Sequence, residues 1–285
     1  MNYRHAFHAG NFGDVLKHVV LTGLIQALRV KSTPMAYLDT HAGGGLYDLS
    51  GEEAKRTGEY REGVARLLDI EQPSKLLLAY LDAVRGIQPP ERPGLSLYPG
   101  SPRLAASLLG PGDRMLLCEP HPEVHDLLKR KLGPDRRAHI HRRDGYEALP
   151  GLLPPVERRG LVLIDPPYEE QNAEFRRIEA ALTACFERWP QGVYAVWYPI
   201  KIRPQLAPFR RWLTENAPRS VLLVELAVRA CDSPLRMCGA GMAIVNPPWR
   251  VDEALASTLP ELRRALAQDA DAHFRLDWLK RESTA

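Results

Sequence analysis

The sequence has no apolar run that could cross a membrane, and it has little excess charge of either sign. A membrane-spanning helix needs about 20 consecutive apolar residues, and no segment of this chain approaches that length. The first ten residues include Arg4, His5 and His8 and lack the apolar stretch of a signal peptide. The net charge of +3 is too small to indicate a nucleic-acid partner by itself. We therefore expect a soluble, cytoplasmic protein whose partner must be inferred from local motifs.

Cysteine is also scarce, which argues against a disulfide scaffold and against a structural zinc site. The four cysteines stand at positions 118, 185, 231 and 238, and none belongs to a Cys-x-x-Cys pair. A structural zinc site needs four suitably spaced ligands, and the sequence offers no such set. We expect free thiols and no bound metal. Internal repeats are absent as well, and a hydrophobic content of 45% excludes a disordered chain.

What the sequence does contain is an alternation of strand and helix patterns. A helix is predicted over residues 11–30, capped by Asn11, and a short buried strand over residues 35–39. From residue 114 onward, four apolar strands alternate with helices, which is typical of a parallel sheet covered on both faces. Two later strands, over residues 220–228 and 242–245, follow one another directly and predict an antiparallel pair at one edge. The predicted fold class is α/β, with a doubly wound and mostly parallel sheet.

Residues 48–98 separate the first predicted strand from the second and have the apolar spacing of helices. They hold nine acidic and seven basic residues, a net charge of −2. At about 150 residues per domain, 285 residues suggest one large domain or two small ones. We therefore predict a sheet domain made of residues 1–47 and 99–285, with a helical subdomain inserted at residues 48–98.

A glycine-rich loop follows the first predicted strand, in the sequence Asp-Thr-His-Ala-Gly-Gly-Gly at residues 39–45. Glycines at such a position let the backbone approach a ligand that a Cβ atom would exclude. A dinucleotide site is an alternative, although the loop lacks the G-x-G-x-x-G spacing. A plain turn is another.

Acidic residues follow the next two strands. Glu119 stands where an acid can accept hydrogen bonds from both hydroxyls of a ribose. Asp144, followed by Gly145, could accept from an adenine amine, although Asp-Gly is also a common turn. Each motif is weak alone, because acids at strand ends are usually solvated or cap a helix.

The strongest motif is Asp165-Pro166-Pro167-Tyr168, which ends an apolar strand. The two prolines stiffen the chain and remove two N–H donors. Carboxylate and carbonyl oxygens are then left as fixed acceptors beside an aromatic ring. Such a site suits a planar base with an exocyclic amine, which donates to the acceptors while the ring stacks on Tyr168.

These four motifs, in this order, resemble those of class I S-adenosylmethionine-dependent methyltransferases of the amino type, which have a Rossmann-like fold and a D/N-P-P-aromatic motif. The chain also resembles the RlmJ family, which methylates N6 of one adenine in 23S ribosomal RNA. The segments that carry this resemblance are residues 3–5, 7–11, 14–18, 38–43, 56–60, 98–102 and 197–199. The resemblance extends from about residue 3 to Trp249, and residues from Val251 onward do not match.

The resemblance implies a role for each matching residue. It implies contacts with the cofactor S-adenosylmethionine for His18, His41, Gly43, Ser101, Glu119, Asp144, Gly145 and Asp165. It implies that Asp165 is also the catalytic acceptor, with Pro166 and Tyr168 in the same motif, and that Tyr3, His5 and Lys17 serve the substrate, Tyr3 within an N-terminal motif at residues 1–12. The implied partner is 23S ribosomal RNA, before the ribosome is fully assembled, and we expect a monomer.

Other functions stay open at this stage. The D-P-P-Y motif alone does not separate adenine in RNA from adenine in DNA, and a protein-glutamine methyltransferase would more often have Asn at position 165. A non-catalytic RNA-binding module is the alternative from another class, although it predicts broken motifs. Phosphate contacts would come from clusters of basic residues, several of which follow predicted strands, namely Arg136, Arg137, Arg142, Arg143, Lys201, Arg203, Arg210, Arg211, Arg229 and Arg236.

A second segment, Asn246-Pro247-Pro248-Trp249, also fits the D/N-P-P-aromatic pattern. In an open parallel sheet, ligands bind outside the carboxyl ends of the strands. Asp165 ends a predicted parallel strand, whereas Asn246 ends one of the late antiparallel strands at the sheet edge. We therefore predict that Asp165, and not Asn246, belongs to the active site.

Overall fold

The computed structural model describes residues 5–92 and 94–281, so the predicted substrate residue Tyr3 lies outside the described residues. The strands are β1 (Ala36–Asp39), β2 (Leu46–Asp48), β3 (Leu97–Pro99), β4 (Arg114–Cys118), β5 (Ala138–His141), β6 (Gly160–Ile164), β7 (Val193–Ile200), β8 (Val221–Ala227), β9 (Gly239–Val245) and β10 (His273–Lys280). The α-helices are α1 (Phe12–Arg29), α2 (Glu52–Thr57), α3 (Lys75–Arg85), α4 (Ser101–Leu108), α5 (Pro122–Leu132), α6 (Gly145–Leu152), α7 (Gln171–Arg188), α8 (Ala207–Asn216) and α9 (Val251–Leu266). Short 3-10 helices span His5–Phe7, Glu59–Glu62, Val64–Leu67 and Arg203–Leu206. None of the helices in these two ranges is both long and apolar enough to span a membrane.

Eight strands form one sheet in the order β10-β8-β9-β7-β6-β1-β4-β5. The pairs from β7 to β5 are all parallel, as the alternating pattern predicts. The predicted antiparallel pairing of β8 and β9 is confirmed. The pair was predicted at the edge of the sheet, but β9 also pairs with β7 and lies inside it. The edge strand is β10, an antiparallel strand that was not predicted.

The antiparallel direction of β9 separates the two D/N-P-P-aromatic segments. The end of β9 pairs with the start of β7, where Val245 is opposite Tyr194. Asn246 therefore lies at the amino ends of the parallel strands, where its side-chain amide donates to the carbonyl oxygens of Pro190 at 2.8 Å and Gly192 at 2.7 Å. Asp165 follows the carboxyl end of β6, at the opposite edge of the sheet.

Helix α1 is buried along nearly its whole length and connects the sheet with the segment between β2 and β3. Asn11 caps it, as predicted, and its side chain accepts from the Asp14 N–H at 2.9 Å. Strands β2 and β3 pair with each other, so both ends of residues 48–98 are fixed side by side. This segment contains α2, α3 and two 3-10 helices. Its status as a separate subdomain stays a prediction.

One cysteine prediction is wrong. Cys231 and Cys238 form a disulfide, so only Cys118 and Cys185 are free thiols, and both are buried. The two bonded cysteines are seven residues apart and lie in the connection between β8 and β9. Their spacing matches no redox or metal motif, and the pairing depends on how that connection turns back on itself.

Candidate active site

Asp165 lies at the carboxyl end of β6 and contacts the first helix of the chain. Its Oδ2 atom is 2.6 Å from Nζ of Lys17, which also donates to Oδ1 of Asp14 at 2.8 Å. Oδ2 of Asp14 in turn lies 3.0 Å from Nε2 of His5. A continuous chain of charged and polar groups therefore joins His5 to the D-P-P-Y loop, and it includes the predicted residues His5, Lys17 and Asp165.

Because Lys17 and Asp14 are buried, each can remain charged only beside its oppositely charged partners. The side chain of Lys17 is only 5% exposed and that of Asp14 only 4%. Burial opposes the charged form of Asp14, but His5 and Lys17 hold the pKa of its carboxyl well below the ordinary value. Burial likewise opposes charge on Lys17, and Asp14 and Asp165 raise the pKa of its amine well above the ordinary value. Lys17 is thus a fixed cation beside Asp165.

The rest of the D-P-P-Y loop turns inward. Pro166 is buried and Pro167 is exposed, and Tyr168 has a left-handed backbone conformation with φ of 50°. The ring of Tyr168 is 6% exposed and packs edge-on against Phe175 and Trp197. Its hydroxyl donates to the carbonyl oxygen of Trp197 at 2.6 Å. The predicted stacking surface is therefore not presented to solvent in this conformation.

The glycine-rich loop is attached to Glu119. The Gly43 N–H donates to Oε2 of Glu119 at 3.0 Å, and the His121 N–H donates to Oε1 at 3.0 Å. Burial is the main influence on Glu119 and raises the pKa of its carboxyl. Gly43 has φ of +60°, which favours glycine, and a Cβ atom there would lie 2.5 Å from the Tyr47 hydroxyl. Hydrogen bonding to Glu119 thus fixes the glycine-rich loop that follows β1 against the segment that follows β4.

Asp144 caps helix α6 and pairs with α7. Its Oδ1 atom accepts from the Tyr146 N–H at 2.8 Å, and its Oδ2 atom from Arg177 at 3.0 Å. The Arg177 guanidinium also lies over the Tyr146 ring, 4.8 Å from the centroid. Gly145 approaches the backbone so closely that a Cβ atom would come within 2.2 Å of the Thr40 carbonyl oxygen. The start of α6 is therefore in direct contact with the residue that follows β1.

His41 lies between these groups and is held neutral. Its Nδ1 atom is 2.8 Å from the Thr40 hydroxyl, and its ring meets Tyr146 edge-on at 5.1 Å. Burial lowers the pKa of His41 to about 4, although the charges of Asp165 and Asp144 oppose that shift. Those two carboxylates are thus close enough to act on one imidazole.

Ser101 and His18 form hydrogen bonds with Asp39 and Tyr98, two partners that the sequence did not suggest. Ser101 donates to Oδ2 of Asp39 at 2.7 Å, and burial raises the pKa of that carboxyl to about 6. His18 is fully buried, with Nδ1 2.8 Å from the Tyr98 hydroxyl and no partner for Nε2 among the described residues. Burial lowers the pKa of His18 to about 3, so this ring is neutral.

Sequence reasoning missed three residues that complete the site. Asp14 precedes Lys17 by three positions on one helical face, a spacing that could have indicated the pair. Trp197 lies in the segment 197–199 that carries the family resemblance, and Arg177 has no comparable signal. Their contacts with Tyr168 and Asp144 arise only from the packing of distant segments.

Several predicted phosphate contacts are engaged elsewhere. Arg137 pairs with Asp135 and donates to backbone carbonyl oxygens, and Arg203 and Arg210 pair with the buried Glu225. The basic residues that follow the carboxyl ends of strands are Arg142, Arg143, Lys201, Arg229 and Arg236.

Comparison with known proteins agrees with this geometry. Residues 32–280 match the family described as "Ribosomal RNA large subunit methyltransferase D, RlmJ". The chain belongs to the RlmJ family. The "Ribosomal RNA large subunit methyltransferase J" of Escherichia coli is 40% identical over 280 residues, which cover 98% of this chain and 99% of that protein. The protein of the same name from Haemophilus influenzae is 36% identical over 282 residues, which cover 99% of this chain and 100% of that protein.

A crystal structure of the protein LPL1258 from Legionella pneumophila has the same fold as this chain. Its TM-score is 0.85 at 35% sequence identity, covering 95% of this chain and 98% of that one. Family membership and the strand order together confirm the predicted Rossmann-like class I methyltransferase fold and the predicted resemblance.

Proposed function

We propose that this RlmJ-family chain methylates N6 of an adenine in 23S ribosomal RNA, with S-adenosylmethionine as the methyl donor. The observation that carries the proposal is the Lys17–Asp165 contact of 2.6 Å at the end of β6. It fixes a hydrogen-bond acceptor on a proline-stiffened loop, beside the acids that follow β4 and β5.

The residues at the strand ends fit the cofactor chemically. The carboxylate of Glu119 can accept hydrogen bonds from ribose hydroxyls, and that of Asp144 from an adenine amine. Their oxygens already accept hydrogen bonds within the protein, but each carboxylate has further lone pairs available. The unpartnered, buried Nε2 of His18 is a further polar atom that a ligand could satisfy. We assign His18, His41, Gly43, Ser101, Glu119, Asp144, Gly145 and Asp165 to the cofactor. S-adenosylmethionine supplies an electrophilic methyl group.

Asp165 is the group that acts on the base. Lys17 occupies its Oδ2 atom, and Oδ1 has no hydrogen-bond partner within residues 5–92 and 94–281. Oδ1 and the Pro166 carbonyl oxygen can therefore accept the two hydrogens of an exocyclic amine. These bonds favour a tetrahedral nitrogen and stabilise the positive charge that develops on it. The neighbouring Lys17 cation donates to Oδ2 and fixes the carboxylate in place, so Asp165 enters the reaction as a hydrogen-bond acceptor.

Positioning supplies most of the remaining acceleration. Holding the amine in line with an electrophile is worth roughly 7–11 kcal/mol when the geometry is right. The adenine must leave its base stack to reach Asp165, which costs a few kcal/mol. Stacking on Tyr168 requires its ring to turn out of the pocket between Phe175 and Trp197. We propose that Tyr3, His5 and Lys17 serve the substrate, and that a cytoplasmic monomer acts on RNA before the ribosome is fully assembled.

Incubation with radiolabelled S-adenosylmethionine tests the proposal. Protein-free 23S ribosomal RNA, duplex DNA of the same sequence and ribosomal protein are offered in parallel. We expect label in the RNA alone, at the N6 atom of an adenine once the RNA is digested to nucleosides. Label in DNA would favour a DNA adenine methyltransferase, and no label in any substrate would favour an RNA-binding module. Binding of that RNA should weaken between low and moderate salt.

A further inference from the structure

The connection between β8 and β9 leaves the carboxyl edge of the sheet beside the active site. It spans residues 228–238, and the Cys231–Cys238 disulfide closes it near its base. Such a cross-link limits how far the loop can open. Its C-terminal end is anchored, since the Cys238 N–H donates to the Ile200 carbonyl oxygen at 2.8 Å. We call residues 232–237 the tip loop.

The base of the tip loop forms part of the active-site wall. Met237 and Trp197 both lie against Gly13, where a Cβ atom would come within 3.3 Å of each side chain. Trp197 contacts Tyr168 and lies 6.0 Å, at its ring centroid, from Nζ of Lys17. The base of the tip loop thus lies against helix α1 one turn before Lys17, the residue that holds Asp165.

Leu235 stands at the end of this loop with 92% of its surface exposed. It is two residues from Met237, so the two Cα atoms are at most about 7 Å apart. Its N–H donates to the Ser233 hydroxyl at 3.3 Å, which fixes the turn. A single exposed leucine is ordinary. Leu235, however, lies next to a pocket that must receive a base from a stacked strand, and this position suggests a function for it.

Two arginines belong to the same connection, Arg236 next to the leucine and Arg229 near the end of β8. Arg236 is exposed, and Nε of the partly buried Arg229 has no hydrogen-bond partner among the described residues. Burial, together with the charge of Arg236, lowers the pKa of Arg229. Neither guanidinium forms an ion pair within the described ranges, although Glu59, Glu62 and Asp269 lie at longer range. An anion placed between the two arginines would relieve their repulsion, and a phosphate group has the right charge.

We propose that Leu235 is a wedge that enters the base stack of a structured RNA at the gap left by the flipped adenine, while Arg229 and Arg236 hold a neighbouring phosphate. Apolar side chains inserted between bases are a known means of stabilising unstacked nucleic acid. The inference rests on the proposed function, because it names how that same site obtains its base. It predicts a dependence on RNA structure that a general affinity for RNA would not produce.

The test compares Leu235→Ala with wild type on two RNAs. One is the shortest 23S hairpin that the wild-type protein methylates, with the target adenine paired. The other is the same strand with the opposing bases changed so that this adenine is unpaired. We expect Leu235→Ala to lower kcat/KM about tenfold on the paired RNA, equivalent to about 1.4 kcal/mol, and to leave the unpaired RNA unchanged. Val156→Ala is the matched control, since Val156 is 82% exposed and precedes β6 at the opposite edge.

Fluorescence gives a second readout. With 2-aminopurine at the target position and S-adenosylhomocysteine present, wild type should raise the emission of the paired RNA and Leu235→Ala should raise it less. For the phosphate contact, Arg236→Ala should reduce the slope of log affinity against log salt by about one. Arg130→Ala, on an exposed residue in the last turn of α5, should leave that slope unchanged.

Two outcomes would overturn the wedge. One is equal activity of Leu235→Ala and wild type on the paired RNA. The other is an equal loss on paired and unpaired RNA, which would indicate ordinary contact with the strand. If the wild-type protein methylates no 23S RNA, so that no such hairpin can be found, that result would instead count against the proposed function, and the two failures are therefore distinguishable.

Discussion

Nζ of Lys17 lies 2.6 Å from Oδ2 of Asp165, a contact between residues 148 positions apart in the sequence. Lys17 also pairs with Asp14, so a single buried cation neutralises carboxylates on two different segments. The contact joins the start of α1 to the D-P-P-Y loop.

Replacing Lys17 with methionine should therefore damage both stability and activity. The change leaves Asp14 and Asp165 close together without their shared cation. Breaking a buried pair in this way costs about 3–5 kcal/mol, which chemical denaturation would measure. We expect methylation to fall at least about a hundredfold, because Asp165 loses its orientation. Lys31→Met, at an exposed position just beyond α1, is the control and should leave both quantities unchanged.

The two D/N-P-P-aromatic segments can be separated by matched alanine variants. Asp165→Ala removes the acceptor at the carboxyl edge and should abolish methyl transfer while the protein stays folded. Asn246→Ala removes two hydrogen bonds at the opposite edge and should cost about 1–3 kcal/mol of unfolding free energy, with kcat retained. Loss of activity in a folded Asn246→Ala variant, with Asp165→Ala still active, would reverse the assignment of the active site.

Two glycines of helix α6 provide a matched pair of alanine variants that test the contact between α6 and the end of β1. Gly145→Ala forces a Cβ atom to within 2.2 Å of the Thr40 carbonyl oxygen, whereas a Cβ atom on Gly151 meets nothing within 4 Å. Gly145→Ala should lower Tm and weaken binding of S-adenosylmethionine measured by calorimetry. Gly151→Ala should raise the unfolding free energy by up to about 1 kcal/mol, since alanine is the better helix former. Identical behaviour of the two variants would argue against a tight contact between β1 and α6.

His18 makes stability depend on pH in a predictable direction. An unfolded histidine binds a proton below its usual pKa of 6.5, whereas native His18 binds one only near its pKa of about 3. Between these values the unfolded state holds more protons, so lowering the pH destabilises the native state by about 1.4 kcal/mol per unit for this group. His41 acts the same way, and Asp39, with its pKa raised to about 6, acts oppositely between about pH 6 and 4.

Denaturation of wild type and His18→Gln at pH 7, 6, 5 and 4 isolates the contribution of His18. The other groups are common to both proteins, so the stability advantage of wild type over the variant should shrink between pH 6 and pH 4. Parallel curves across that range would show that His18 is already protonated at neutral pH or remains accessible to water.

Local sequence was sufficient for the parallel half of the sheet. Each of β4, β5 and β6 is a short strand followed by its own helix, and Glu119, Asp144 and Asp165 follow the ends of these strands. The cap of α1 by Asn11 is equally local. These features depend on neighbours within a few residues, so the sequence pattern contains them.

The features that escaped prediction all depend on distant partners. The place of β9 between β7 and β8 depends on pairing across about 45 residues, and β10 joins the edge with one face open to solvent. The inward turn of Tyr168 follows from a hydrogen bond to Trp197. The disulfide likewise needs the turn of the β8–β9 connection, which cysteine spacing alone does not specify.

Helix α1 limits how far the molecule can be divided into parts. Its buried side chains belong to one hydrophobic core that also contains Leu77 and Tyr80 of α3 and Leu117 and Leu163 of the sheet. Excision of residues 48–98 would leave the outer face of α1 uncovered, and the same helix holds Lys17 against Asp165. Residues 48–98 and the sheet are therefore not exchangeable modules, and a chimera that swaps either one must redesign α1 with it.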